Sequence, residues 1–80
     1  MHELSIAKSL LDILKEQAES HNIKKAVKVK LKLGRFTAVE PSSLRFCFQI
    51  LSEKTVFEGA VLEIDETSGN ELDLIGMEAE

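Results

Sequence analysis

Met1-His2-Glu3, which open this 80-residue sequence, bring together donors able to chelate a metal ion. A free α-amine, the backbone amide that follows and the imidazole of residue 2 close a chelate around one ion. Nitrogen donors in a plane suit Ni(II) or Cu(II), which accept square-planar geometry. The large side chain of His2 implies that Met1 is retained, so the amine stays one residue from the imidazole. The competing reading is a plain solvated terminus, since chain ends are commonly poorly ordered.

Other reactive side chains read more simply. Cys47 has no neighbouring His or Lys to make it a nucleophile and falls on the apolar stripe of a helix, where a free cysteine packs as a small hydrophobe. His21 sits where a helix should end and there offsets the helix dipole or is solvated. Glu63 and Asp65 point the same way on a strand and could hold a hard cation, but surface pairing with lysine is the simpler use. Neither GxxxxGK[ST] nor GxGxxG occurs, so nucleotide binding has no support. One cysteine excludes an internal disulfide framework and a four-cysteine zinc site within the chain. With no constellation for catalysis, an enzyme is not expected.

Several elements must position the amino-terminal residues. Leu4, Ala7, Leu10, Leu11, Leu14 and Ala18 recur at three- and four-residue spacing. They predict an amphipathic helix starting near Glu3 to Ser5 and fading at Ser20-His21-Asn22. Val27-Lys28-Val29-Lys30-Leu31-Lys32-Leu33 alternates strictly and predicts a half-buried strand ended by Gly34. A loop from Arg35 to Glu40 leads to Pro41, which suits the first helical position because its missing N–H has no partner there. Leu44, Cys47, Phe48 and Leu51 give that second helix one face, and Phe46 and Ile50 add another, so it is buried on more than one side or lies at an interface. Ala60, Leu62 and Ile64 alternate with Val61, Glu63 and Asp65 as a second strand, and Thr67-Ser68-Gly69-Asn70 is a turn. In the last segment the apolar phase slips between Leu74 and Met77. A bulge near Gly76 would bring Met77 and Ala79 onto the face of Leu72 and Leu74.

The order helix–strand–helix–strand–strand predicts an α+β two-layer fold, with two helices on one face of a three-stranded mixed sheet. The first two strands should be parallel through a right-handed crossover, and the third antiparallel to the second across a tight turn. The lysines at 28, 30 and 32 would share the open face with Glu63, Asp65 and Asp73.

That pairing accounts for an uneven charge. Residues 1–52 hold nine bases and five acids, residues 53–80 one base and nine acids, for a net −4. Without Trp or Tyr the basic stretch lacks base-stacking platforms, so no nucleic acid is expected. No apolar run approaches the ~20 residues that span a bilayer. No secretory signal opens the sequence, so a cytoplasmic setting without membrane contact is expected. At 8.9 kDa the chain is expected to be one domain, residues 1–80.

Met1-His2-Glu3-Leu4-Ser5-Ile6-Ala7 with Ser9-Leu10-Leu11 closely resembles the amino terminus of the HypA/HybF family, nickel chaperones of hydrogenase maturation. The likeness continues through Val29-Lys30-Leu31-Lys32-Leu33-Gly34, Pro41 with Leu44, Phe46 and Phe48, Gly59-Ala60-Val61-Leu62-Glu63-Ile64 and Gly69-Asn70-Glu71-Leu72 to the end. Family members carry a zinc module with two CxxC pairs between the last two strands. Here about residues 66–69 stand in its place, so a natural or engineered loss is implied and no zinc is expected.

The resemblance implies nickel(II) as cargo, held by Met1, His2 and Glu3, with Glu40 at the position of a further acidic residue of the family's nickel site. It implies delivery to the [NiFe]-hydrogenase large subunit, with urease sometimes served, and the GTPase HypB as the partner that supplies energy. Two alternatives stand beside it: a metal-independent docking module, and a strand-swapped or helix-paired homodimer using residues 70–80 or Phe46 and Ile50.

Overall fold

The computed structural model describes residues 3–80; Met1 and His2, expected as metal donors, lie outside the described residues. The elements follow in the order α1 (Glu3–Ser20), β1 (Ala26–Gly34), a 3-10 turn (Arg35–Thr37), α2 (Pro41–Leu51), β2 (Val61–Thr67) and β3 (Leu72–Ala79). This is the expected two-layer α+β succession of two helices and a mixed sheet.

Helix α1 buries Ile6, Ala7, Leu10, Leu11, Leu14 and Ala18. The predicted stripe holds from Ala7 onward, but Leu4 is 56% exposed and Ile6 enters the core instead. At its first turn the stripe runs past the end of the packed layer, which leaves Leu4 on the rim of a pocket. The helix stops at left-handed Asn22 (φ 57), with the Ile23 N–H donating back to the Ala18 carbonyl (2.8 Å) and the Asn22 N–H to Glu19 (3.2 Å). This double closure satisfies terminal carbonyls, and Ile23 then packs against the core.

Strand β1 is central, in the order β2-β1-β3. Its Lys28–Gly34 stretch pairs in parallel with Val61–Thr67, as a strand–helix–strand unit should. On its other side it pairs antiparallel with β3, with two register shifts. The shift between Ala26 and Lys28 turns Ala26 into the core and leaves Val27 42% exposed, reversing the simple alternation there. The second shift leaves Ile75 unpaired between Gly76 and Leu74. It is the bulge that the apolar slip required, and it seats both Leu74 and Met77 against the core, while Ala79 stays exposed.

One expectation is corrected. β3 runs antiparallel to β2 but does not pair with it, because β1 lies between them. Residues 68–71 therefore form a crossing over the end of β1, not a hairpin turn. Thr67 of β2 and Glu71, just before β3, flank Gly34, and the Thr67 hydroxyl donates to the Glu71 carboxylate across it. Gly34 has ordinary extended torsions (φ −81, ψ 146), so backbone conformation does not demand glycine. Space does: a Cβ at Gly34 would collide with the Gly69 carbonyl and lie 2.7 Å from the Asn70 nitrogen.

One sheet face carries Val29, Leu31, Leu33 and Leu62 into the core beside Leu44 and Phe48 of α2. The other face carries the lysine row. Lys28 reaches Glu63 (3.6 Å) and Lys30 reaches Glu78 (3.2 Å), while Asp65 and Asp73 both stand in register with Lys32. Phe57, fully buried in the α2–β2 connection, is a core residue that no periodic pattern announces. Its segment is pinned locally, with the Phe57 N–H donating to the Thr55 hydroxyl (3.0 Å) and the Ala26 N–H to the Val56 carbonyl (2.9 Å).

Candidate metal centre

The loop after β1 delivers Glu40 to a fixed place. The Thr37 hydroxyl donates to the Gly34 carbonyl (2.7 Å) and accepts from the Val39 N–H (3.2 Å). Ala38 adopts the left-handed region (φ 60), and Val39 is buried. Further back, Phe36 N–H donates to the Gly69 carbonyl (2.9 Å), tying this loop to the β2–β3 crossing. Glu40 is then the N-cap of α2, with Pro41 opening the helix.

The Glu40 carboxylate is committed to that cap. Its Oε1 accepts from the Ser42 N–H (3.0 Å) and the Ser42 hydroxyl (2.6 Å). These bonds, the hydroxyl's first, hold Glu40 below the ordinary carboxylate range, against desolvation and the like charge of Glu3. The Glu40 backbone serves the site differently. Its N–H donates to Oε2 of Glu3 (3.0 Å), joining residues 37 apart in sequence. Two of the four expected site residues, Glu3 and Glu40, are thus brought together by a backbone donor and a side-chain acceptor. Met1 and His2 lie outside the described residues.

A shallow pocket of about 540 Å³ opens beside this contact, lined by Glu3, Leu4, Ser42, Ser43, Phe46 and Cys47. Cys47 is half-buried against the core and also forms part of the pocket wall, so the core reading of this residue is incomplete. Ser42, the partner that fixes Glu40, was not singled out in the sequence, although Glu40-Pro41-Ser42 carries a helix-start signal in Pro41. Among the described residues no three His, Cys, Asp or Glu side chains converge as a metal cage.

The alternative positions lie elsewhere. His21 caps the far end of α1, a span of roughly 27 Å for 18 helical residues, with Nδ1 2.9 Å from the Gln17 carbonyl. Glu63 is engaged with Lys28 on the open sheet face.

Comparison with known proteins bears on this arrangement. The family model described as hydrogenase/urease nickel incorporation, metallochaperone, HypA matches residues 1–71. The chain is 48% identical over 62 residues to hydrogenase maturation factor HypA of Caldanaerobacter subterraneus, covering 78% of this chain and 54% of that relative. It is 48% identical over 65 residues to hydrogenase maturation factor HybF of Klebsiella pneumoniae, covering 81% and 58%. The chain thus spans little more than half the length of these relatives. In fold it is similar to the solution structure of the nickel metallochaperone HypA from Helicobacter pylori, with a TM-score of 0.86 at 22% identity over 99% of this chain and 97% of that one.

Proposed function

The chain belongs to the HypA family of nickel-incorporation metallochaperones, and from that premise we propose that it carries Ni(II) on its amino-terminal residues and delivers it during hydrogenase or urease maturation. The observation that carries this reading is the hydrogen bond from the Glu40 N–H to the Glu3 carboxylate, which fastens the residue next to His2 onto the capped start of α2.

Met1 supplies its amine, His2 its ring and backbone nitrogens, and Glu3 a backbone nitrogen. The Glu3 carboxylate is held by the Glu40 N–H, which fixes the residue that follows His2. Glu40 acts mainly as a positioning residue, since its carboxylate already accepts two hydrogen bonds from Ser42. The donors must lose protons to bind, so acid expels the ion and neutral pH admits it. Planar nitrogen donors hold Cu(II) more tightly than Ni(II) in the general order, so selection for nickel comes from supply and partners.

The chain lacks a nucleotide-binding motif, and we assign the energy of transfer to a GTPase, HypB, with the hydrogenase large subunit as recipient. Residues 1–80 act as one nickel-handling domain without zinc, since Cys47 is the only cysteine. No helix among the described residues is long and apolar enough to cross a membrane, and we place the delivery in the cytoplasm.

A calorimetric titration of untagged protein with Ni(II) tests the reading. Stoichiometric binding is expected. It should vanish in His2→Ala and in a variant with one residue added before Met1. Glu40→Ala should weaken binding while leaving the stoichiometry unchanged. Binding that survives the first two changes would move the site away from the terminus. An absence of binding in the parent would leave a docking domain.

A further inference from the structure

A second surface, between α1 and β3, has the form of a receptor for an extended chain. A groove of about 410 Å³ runs between α1 and β3, lined by Ser5, Ile6, Ser9, Leu10 and Ile13 on one side and Leu31, Leu72 and Leu74 on the other. Ser5 and Ser9 are small and keep the groove open. Ile13 and Leu72, respectively 50% and 41% exposed, stand at its margins.

Among the described residues β3 is an edge strand, paired with β1 alone. The Gly34 N–H donates to the Glu71 carbonyl, which makes Gly34 and Glu71 a hydrogen-bonded pair. Ladder alternation then turns the backbone groups of Asp73 toward β1 and those of Leu72 and Leu74 toward the open edge. The side chains of Leu72 and Leu74 lie in register with Leu33 and Leu31, on the core face beneath α1. Open backbone groups and an apolar trough therefore coincide at the same two residues.

We propose that this edge binds an extended segment of a partner protein in which apolar residues alternate with Lys or Arg. Its backbone bonds to Leu72 and Leu74, its apolar side chains fill the groove beneath Ile6, Leu10 and Ile13, and its basic side chains lie on the opposite face beside Asp73. The bulge at Ile75 limits the added strand to the stretch that borders the groove.

Charge selects this occupant over a second copy. Residues 71–80 carry Glu71, Asp73, Glu78 and Glu80 with no base; Lys30 meets Glu78 and Lys32 stands beside Asp73 from β1, so pairing two β3 edges would bring each copy only further acids and no base. On the helix side Asp12 and Glu16, three residues on from Ser9 and Ile13, are exposed neighbours of the groove, and of these Asp12 is offset by Lys8 at 3.3 Å. A basic segment gains from this field, which a polar or acidic one does not.

The test is amide NMR and fluorescence anisotropy of the metal-free chain with a synthetic peptide of alternating valine and lysine, and a valine–glutamate peptide as control. Saturable binding is expected, with shifts and slowed hydrogen exchange at Leu72 and Leu74. Ile13→Glu should weaken it by about tenfold or more, as should Leu72→Pro, which removes an outward N–H at an edge where proline is tolerated. Unchanged α2 amide shifts certify that both variants remain folded, and Ile13→Glu stands alone where Leu72→Pro does not fold. The proposal is overturned by absent binding, by equal binding of the acidic peptide, or by binding that survives Ile13→Glu. Concentration-dependent dimerisation of the free chain that Ile13→Glu abolishes would also overturn it, in favour of a second copy.

Discussion

β1 and β3 pair along nearly their whole lengths, yet they live in different surroundings. β1 buries Ala26, Val29, Leu31 and Leu33, whereas no residue of β3 is fully buried and only Leu74, Gly76 and Met77 are half-covered. The hydrogen-bonded ladder is common to both, so it cannot be the source of the difference. Position in the sheet is: β1 has a strand on each side, and β3 has one side open. A central strand specifies the core, and an edge strand keeps surface for other uses.

The largest expected effect breaks that contrast at its stronger side. Leu31→Ala removes a side chain only 1% exposed and should destabilise the fold by about 3 kcal/mol. Leu74→Ala, directly opposite in register, should cost only about 1 kcal/mol because its side chain packs against the core while staying partly exposed at the sheet edge. Denaturant titrations of both variants check the ratio. Equal losses would mean that β3 is as deeply packed as β1.

Next comes the point where the two regions meet. Gly34→Ala places a methyl group against Gly69 and Asn70. Reduced freedom of the unfolded chain favours alanine by up to about 1 kcal/mol, but a clash with backbone atoms has no flexible side chain to move. The net expectation is a loss of about 2 kcal/mol. A thermal melt measures it, and a neutral or stabilised variant would show that the crossing can shift outward.

This crossing also marks where the sequence stopped being legible. The alternation of residues 27–33 reveals a strand, and Thr67-Ser68-Gly69-Asn70 reveals a change of direction. Neither pattern says which strand lies beside which, since a short connection fits a hairpin or a step over one strand end. The bulge could be read because Gly76 follows a phase slip, and Leu74 and Met77 had to share a face. Phe57 could not, because its burial comes from a pinned connection without periodicity. At the site, Met1, His2, Glu3 and Glu40 were named through chemistry and family likeness. The division of labour within Glu40, N–H to Glu3 and carboxylate to Ser42, depends on three-dimensional placement that spacing cannot encode.

Glu40 lies beyond this same end of β1, where polar contacts replace burial. Its carboxyl is held below its ordinary value by Ser42. A depressed folded-state value means that the contribution to stability is present above the unfolded value and is lost as pH falls through the folded one. Wild type should therefore melt above Glu40→Ala at neutral pH, and the gap should close on acidification. A gap that is constant with pH would assign the effect to packing, not to the charged cap.

The smallest effect concerns Ser52, the residue that follows α2. It is 1% exposed, and its hydroxyl has no hydrogen-bond partner among the described residues. Its backbone does the useful work, since the N–H donates to the Phe48 carbonyl (2.9 Å) and the carbonyl accepts from the Thr55 hydroxyl (2.6 Å). Both bonds survive replacement by alanine, and the buried oxygen is removed without opening a large void. Ser52→Ala should therefore stabilise the fold by up to about 1 kcal/mol, since an unmet buried hydroxyl costs about 1–3 kcal/mol and the lost contacts return part of that. A higher melting temperature with unchanged nickel stoichiometry is the expected result. A lower one would mean that the hydroxyl has a partner, and the connection bearing Phe57 would then be fixed by a side chain as well as by its backbone.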